Sequence, residues 1–224
     1  GSGDPEAYGS HPPAFGIDFF QGPYMDPDGI DNPKYNFNIQ TSYVIDQVTH
    51  DTLEVIYDTV GKTQIVDESI NGVNFGNGIV DDERFGMRRF VYHNNSQDDN
   101  GDPDKAPEYY NYLRGIWKNG AKMRNGGNAF SGNDVVGPEC DFMFPGDSDP
   151  WNWGTGGFQP NAGYNQNGKY WTEESCNNAP NDRRFMQSAG PFTLKPGAVT
   201  YITDGIPWAR AAQGGAQASV ELLK

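Results

Sequence analysis

The chain has 224 residues, with 16 Lys and Arg against 30 Asp and Glu, for a net charge of -14. That balance argues against nucleic acid and against anionic membrane surfaces, both of which attract basic patches. The apolar fraction is only 35% and the mean hydropathy -0.75, but 13% of residues are aromatic and can bury large areas. With 29 Gly and 16 Pro, short strands joined by long connections are favoured over a helical bundle. No stretch reaches the roughly 18 apolar residues of a membrane span. The opening "GSGDPEAYGSHPP" lacks the apolar core of a signal segment, and "GGAQASVELLK" breaks off as an amphipathic helix begins. Both ends read as cuts, so a single module, residues 1–224, from a longer chain is expected.

In chain order, "FGIDFFQGPYMDPDGIDN" predicts a short strand over Ile17–Phe20 and then an acidic turn. The β-branched runs Tyr43–Val48 and Leu53–Tyr57 predict two strands joined at His50–Asp51, with a helix through Leu53–Val60 as the competitor. "VNFGNGIVDDERFG" reads as a glycine- and asparagine-rich turn, with Ile79 and Val80 tucked into the core and three carboxylates following. "RRFVYHNN" predicts a strand. In "DPDKAPEYYNYLRGIWKNGAKM", Pro107 and Glu108 suit a first helical turn, and Tyr109, Leu113, Ile116 and Trp117 recur at helical spacing up to Gly120. Residues 125–181 read mostly as loop, and "GPFTLKPGAVTYITDGIPWARAA" as two strands about a Lys195-Pro196-Gly197 turn. Pro207 places the second of these at an edge or a bulge.

The acidic segments invite a calcium reading, because six to eight oxygen ligands suit loops of Asp and Asn with glycine at the bend. With Gly78 in the sixth position of such a loop, Val73 and Phe75 displace two ligands and Arg84 falls where a bidentate carboxylate belongs. "YMDPDGIDN" fits better through Asp26, Asp28 and Asn32, and "SQDDNGDPD" better again through Asp98, Asn100 and Asp104. Asp81 can add an oxygen to a site completed elsewhere. An ordinary turn rich in Asp, Asn and Gly produces the same letters.

Catalysis finds little footing. The Gly-Asp-Ser of "FPGDSDP" would need a histidine base downstream, whereas His11, His50 and His93 all precede Ser148. Carboxylate pairs such as Asp147/Asp149 and Glu173/Glu174 are ordinary in an acidic chain. Trp151, Trp153 and Trp171 stand among Asn, Gln and Gly, a composition that suits sugar rings and equally suits anchoring a long loop. Cys140 and Cys176 can close a loop of about 36 residues or stand as separate thiols, and the absence of a CxxC pair excludes a cysteine zinc site.

Five phrases carry a family resemblance: "GIDFFQGPYMDPDGIDNP", "NGIVDDERFGMRRFVYHNN", "EYYNYLRGIWKNG", "CDFMFPGDSDPWNWGTGG" and "DRRFMQSAGPFTLKPGAV…WARA…GGAQASVELLK". They resemble a module of large secreted and cell-surface proteins of Bacteroidota exported by the type IX secretion system. The likeness spans the chain apart from an insert-like stretch, residues 36–69. It implies an extracellular or cell-surface location and strengthens the case for a disulfide between Cys140 and Cys176. It carries over no active-site residues.

The expectation is a mainly β module: a sandwich-like sheet core, long loops rich in Gly, Asn, Pro and aromatics, and one or two short helices. The leading function is non-enzymatic, a structural or binding module with Ca2+ as a candidate stabilising ion. Its partners would be other domains of the same large protein or surface assembly. One alternative is a carbohydrate-binding or carbohydrate-degrading domain using residues 151–171, with glycans as partners. Another is a scaffold segment of an adhesin or surface filament.

Overall fold

The computed structural model describes residues 6–33, 35–46, 48–49, 52–64, 72–130, 137–145, 171–179 and 181–223. The elements run β1 (Ala14–Phe15), β2 (Asp18–Gln21), β3 (Tyr35–Ile45), β4 (Thr52–Gln64), β5 (Arg89–Asn94), α1 (Ala106–Leu113), β6 (Arg183–Ser188), β7 (Thr203–Gly205), β8 (Trp208–Ala209) and α2 (Gly215–Leu223). The strands form four two-stranded antiparallel ladders: β1 with β8, β2 with β7, β3 with β4 and β5 with β6. The mainly β class with two short helices is therefore evident. No sheet among the described residues closes on itself, and the facing sheets of a sandwich do not follow from these ladders.

The core lies against the β5–β6 ladder. Val91, Tyr112, Trp117, Met123, Met143 and Trp171 form its centre, with Phe90, Tyr92, Phe144 and Met186 packed on it. Tyr112 meets Trp117 edge to face at 5.5 Å, and Phe144 leans on Trp171 at 5.3 Å. Buried aromatics with a polar atom need a partner for it. The Trp117 indole N–H donates to the Ala129 carbonyl at 3.0 Å, the Trp171 N–H to the Gly127 carbonyl at 3.0 Å, and the Tyr112 hydroxyl to the Gly101 carbonyl at 2.5 Å. Three rings thereby pin two irregular loops, one at Gly101 and one at Gly127–Ala129, so the aromatics do here what sheet layers do elsewhere.

Helix α1 begins as its sequence predicts. Lys105 is the N-cap, Pro107 sits in the first turn, and the Glu108 carboxylate accepts the Asp104 N–H at 2.8 Å. It ends earlier than the helical spacing suggests. Gly115, at φ +67°, turns the chain out after Leu113, and Gly120 closes a separate turn instead. Ile116 then bridges to Lys122 rather than continuing the helix.

Just outside the aromatic core, Asp141 gathers three cations: Arg88 Nη1 and Lys122 Nζ at 2.6 Å each, and Arg89 Nε at 3.1 Å. Burial opposes ionisation of this carboxyl, but Arg88, Lys122 and Arg89 together outweigh burial and hold its pKa below the ordinary range. The cluster ties the start of β5 to the loop that carries Cys140.

Candidate functional site

The segment "VNFGNGIVDDERFG" folds back on "MDPDGIDN", and the two loops hold each other by carboxylates. Gly76 and Gly78, with φ of +68° and +89°, turn their N–H groups toward one side. There the Asp31 carboxylate accepts both, at 2.8 Å and 2.6 Å. In return Asp81 accepts the Asp28 and Gly29 N–H groups through one oxygen, at 2.8 Å and 2.9 Å. Glu83, buried to 1% exposure, accepts the Asn32 N–H at 2.5 Å. Arg84 extends the clasp by donating to the Gly22 carbonyl at 2.8 Å and to the Tyr201 carbonyl.

The proposed metal residues of this region are therefore engaged with backbone. Asp26 accepts the Thr193 N–H and hydroxyl at 2.9 Å and 2.8 Å. Asp28 accepts from the Ile30 N–H and the Asn32 amide. Asp28, Asn32 and Asp81 come together in the loop pair, with Asp28 and Asp81 as hydrogen-bond acceptors and Asn32 as a donor, while Asp26 turns to Thr193 instead. Counting calcium-loop positions passed over Asp31, which falls at the eighth position of that pattern and makes the bonds to Gly76 and Gly78. The usable signal was reciprocal: a glycine-rich turn in one loop and a carboxylate beside a glycine in the other. Ile79 and Val80, expected in the core, are more than half exposed, because the turn that serves Asp31 lifts them outward.

Asp98 and Asn100 line a polar cavity of about 530 Å³ together with Asp99, Asn94, Gln97 and Asn128. Asp104 does not join them. It lines a neighbouring cavity of about 370 Å³ with His93 and Asp102, on the approach to α1. In that cavity His93 Nδ1 stands 3.3 Å from Asp102, and burial pushes the imidazole pKa down despite the carboxylate. Among the described residues no group of three or more His, Cys, Asp and Glu is placed to share one metal ion. A calcium ion at the first cavity would have to draw on amide and backbone oxygens beside Asp98 and Asp99.

Trp171 is fully buried, so its ring offers no face to a sugar, and it anchors its loop instead. Trp151 and Trp153 lie outside the described residues. Cys140 and Cys176 are both buried in the aromatic core cluster, where burial pushes the Cys140 thiol pKa far up.

Two further surfaces carry apolar side chains into solvent. The first is the β3–β4 hairpin, whose strands pack on each other and on no other described strand or helix. Tyr43 stands opposite Val55 and Ser42 opposite Ile56, so apolar side chains lie on both faces. Nearer the tip, Val48 is 88% exposed and Leu53 64%. The second is an apolar cavity of about 430 Å³ between the end of α1, the end of β6 and β2. Phe19, Leu113, Phe192 and Ile202 supply its apolar wall, and Arg89 and Arg114 its charge. Arg89 is already paired with Asp141. The Arg114 guanidinium lies over the Tyr110 ring at 5.5 Å, and no carboxylate of the described residues forms an ion pair with it. Comparison with known protein families, curated proteins and solved structures finds no match for the chain.

Proposed function

We propose that this chain is a non-enzymatic structural and binding module of an exported, surface-displayed protein, and that it engages its neighbours through the β3–β4 arm. The observation that carries the reading is the arm itself. A two-stranded hairpin is marginal in water, and an exposed apolar strand pair with two open edges is a template for association. This arm exposes Tyr43, Val44, Ile45, Val48, Leu53, Val55 and Ile56 without packing on another described element. All of the arm after Tyr35 falls within the stretch, residues 36–69, that interrupts the family resemblance, as a partner-specific attachment on a shared scaffold would. The test is amide hydrogen exchange over residues 35–64, in the isolated chain and in the intact surface protein. Exchange that slows at least tenfold in the intact protein is expected. Equal, rapid exchange in both would remove the arm from any docking role.

Two subsidiary readings belong to the same proposal. Cys140 and Cys176 pair as a disulfide in the exported form, supported by their burial in one cluster. Calcium, if it stabilises the module, sits in the cavity beside Asp98, Asp99 and Asn100, whose lining offers only oxygen and amide groups apart from Phe130. A melting temperature unchanged by a chelator removes calcium from this account. The carbohydrate alternative is left to Trp151 and Trp153, since Trp171 is spent in the core.

A further inference from the structure

We infer that the partner of the arm is a second copy of this chain, with the hairpin tip of one molecule seated in the Arg114 groove of the next. This deepens the proposed function and rests on it. The argument is complementarity of chemistry. The groove combines an apolar wall (Phe19, Leu113, Phe192, Ile202) with a guanidinium that no described carboxylate neutralises. Its occupant should bring an apolar side chain with a carboxylate beside it. In a chain of net charge -14, an anion-accepting apolar groove is an unusual feature for the surface to carry.

The hairpin tip has that chemistry twice, in Ile45-Asp46 and in Leu53-Glu54. Asp46 is already committed, because its carboxylate accepts the Val48 and Thr49 N–H groups at 2.7 Å and 2.9 Å. Glu54 stands on β4 opposite Val44, next to the exposed Leu53. The register passes from Val44 opposite Glu54 to Ile45 opposite Thr52, so Leu53 is the extra residue of a bulge that breaks the strict alternation of faces. Leu53 and Glu54 are thus the pair to enter the groove, Leu53 against Leu113 and Phe192, Glu54 to Arg114. A volume of about 430 Å³ has room for a leucine side chain and its neighbours. The reach is sufficient as well, since 11 and 13 residues of strand give an arm of about 35–40 Å.

Donor and acceptor are different surfaces of one molecule, so the contact is head to tail. Such contacts propagate into chains of subunits unless the rotation closes a ring. The arrangement gives a partner to an arm that packs on no other described strand or helix, and a carboxylate to the Arg114 guanidinium, which forms no ion pair among the described residues.

Sedimentation velocity of the full chain across a hundredfold range of concentration tests this. The wild-type chain should form species that grow past the dimer. Leu53→Asp and Arg114→Glu should each give monomers, and an equimolar mixture of the two should give a one-to-one pair that stops there, because one intact arm meets one intact groove. Charge exchange in one chain, Glu54→Arg with Arg114→Glu, should recover at least half of the association that either change removes alone. Circular dichroism and the melting temperature identify any variant that fails to fold, and Leu113→Gln is then the substitute in the groove. A wild-type chain that stays monomeric at every concentration overturns the self-docking. Association lost with Leu53→Asp but kept with both Arg114→Glu and Leu113→Gln also overturns it, and leaves the arm as a docking element for another surface. Failure of the arm altogether would show instead as unprotected amides in the intact protein.

Discussion

Asp31 illustrates how a carboxylate in a loop with calcium-like spacing can complete a neighbouring turn instead. Its two oxygens accept the Gly76 and Gly78 N–H groups, so Asp31→Ala leaves two donors to water. Charge-assisted bonds contribute roughly 1.5–3 kcal/mol each when sheltered, but these glycines are exposed. The expected loss is therefore about 1–2 kcal/mol, read as a lower urea midpoint with unchanged slope. Asp31→Asn keeps one acceptor oxygen and should fall between the two. Asp141 is the stronger case, because Asp141→Ala leaves Arg88, Arg89 and Lys122 crowded without their counter-charge. A loss of about 2–4 kcal/mol is expected for breaking such a partly buried network. The pH dependence follows from its lowered pKa. The stabilisation is present above the ordinary carboxylate value of 3.8 and is lost as pH falls through the lower, folded value. His93 acts at milder acidity. Its folded pKa lies below 6.5, so the unfolded chain takes up the proton first and stability declines as pH drops from about 6.5 toward the folded value. In His93→Gln that decline should vanish while the loss below pH 4 remains, as denaturation at a series of pH values would show.

The elements differ in how far they could be read. The core strand β5, the start of α1 and the paired runs of the arm follow from alternation, capping and β-branching, all of which are local. β6 escaped, because Arg183, Arg184, Gln187 and Ser188 dilute its apolar pattern and its identity as a strand depends on pairing with β5. The region after Pro191 went the other way. Phe192-Thr193-Leu194 looks like a strand, yet Thr193 is bound to Asp26, and the ladder begins only at Thr203. The helix stop is testable by a pair of glycines. At Gly120 a Cβ would meet open space, so Gly120→Ala bears only the left-handed backbone cost of about 1–2 kcal/mol. At Gly115 a Cβ would also stand 3.1 Å from Met123 and 3.2 Å from Arg89. Gly115→Ala should therefore cost about 2–4 kcal/mol, the excess being overpacking. Equal effects at the two sites, measured by denaturant unfolding, would make Gly120 as much a structural stop as Gly115.

For the whole molecule, the two ends of the described chain are joined. β1 and β2 pair with β8 and β7, Arg210 donates to the His11 and Tyr8 carbonyls, and Ser219 to the Pro12 carbonyl. No local pattern announces partners more than 180 residues apart, and the described strands pair as four separate two-stranded ladders. With the strands in separate two-stranded ladders, stability falls to the aromatic cluster and to what constrains the loops around it. Cys140 and Cys176 bear on that directly, because between them lies much of the glycine- and asparagine-rich chain. A bond closing about 36 residues would stabilise the fold by roughly 3–4 kcal/mol through the unfolded state. Protein taken from an oxidising compartment should therefore show no titratable thiol in denaturant without reductant, and its urea midpoint should fall when reductant is added. Once reduced, Cys140 should resist alkylation until the chain unfolds, since burial both hides the sulfur and disfavours the thiolate. The alkylation rate would then track global unfolding and not local opening. Two thiols titrating in the unreduced protein would eliminate the disulfide and leave the ring contacts of Tyr112, Trp117 and Trp171 to hold these loops.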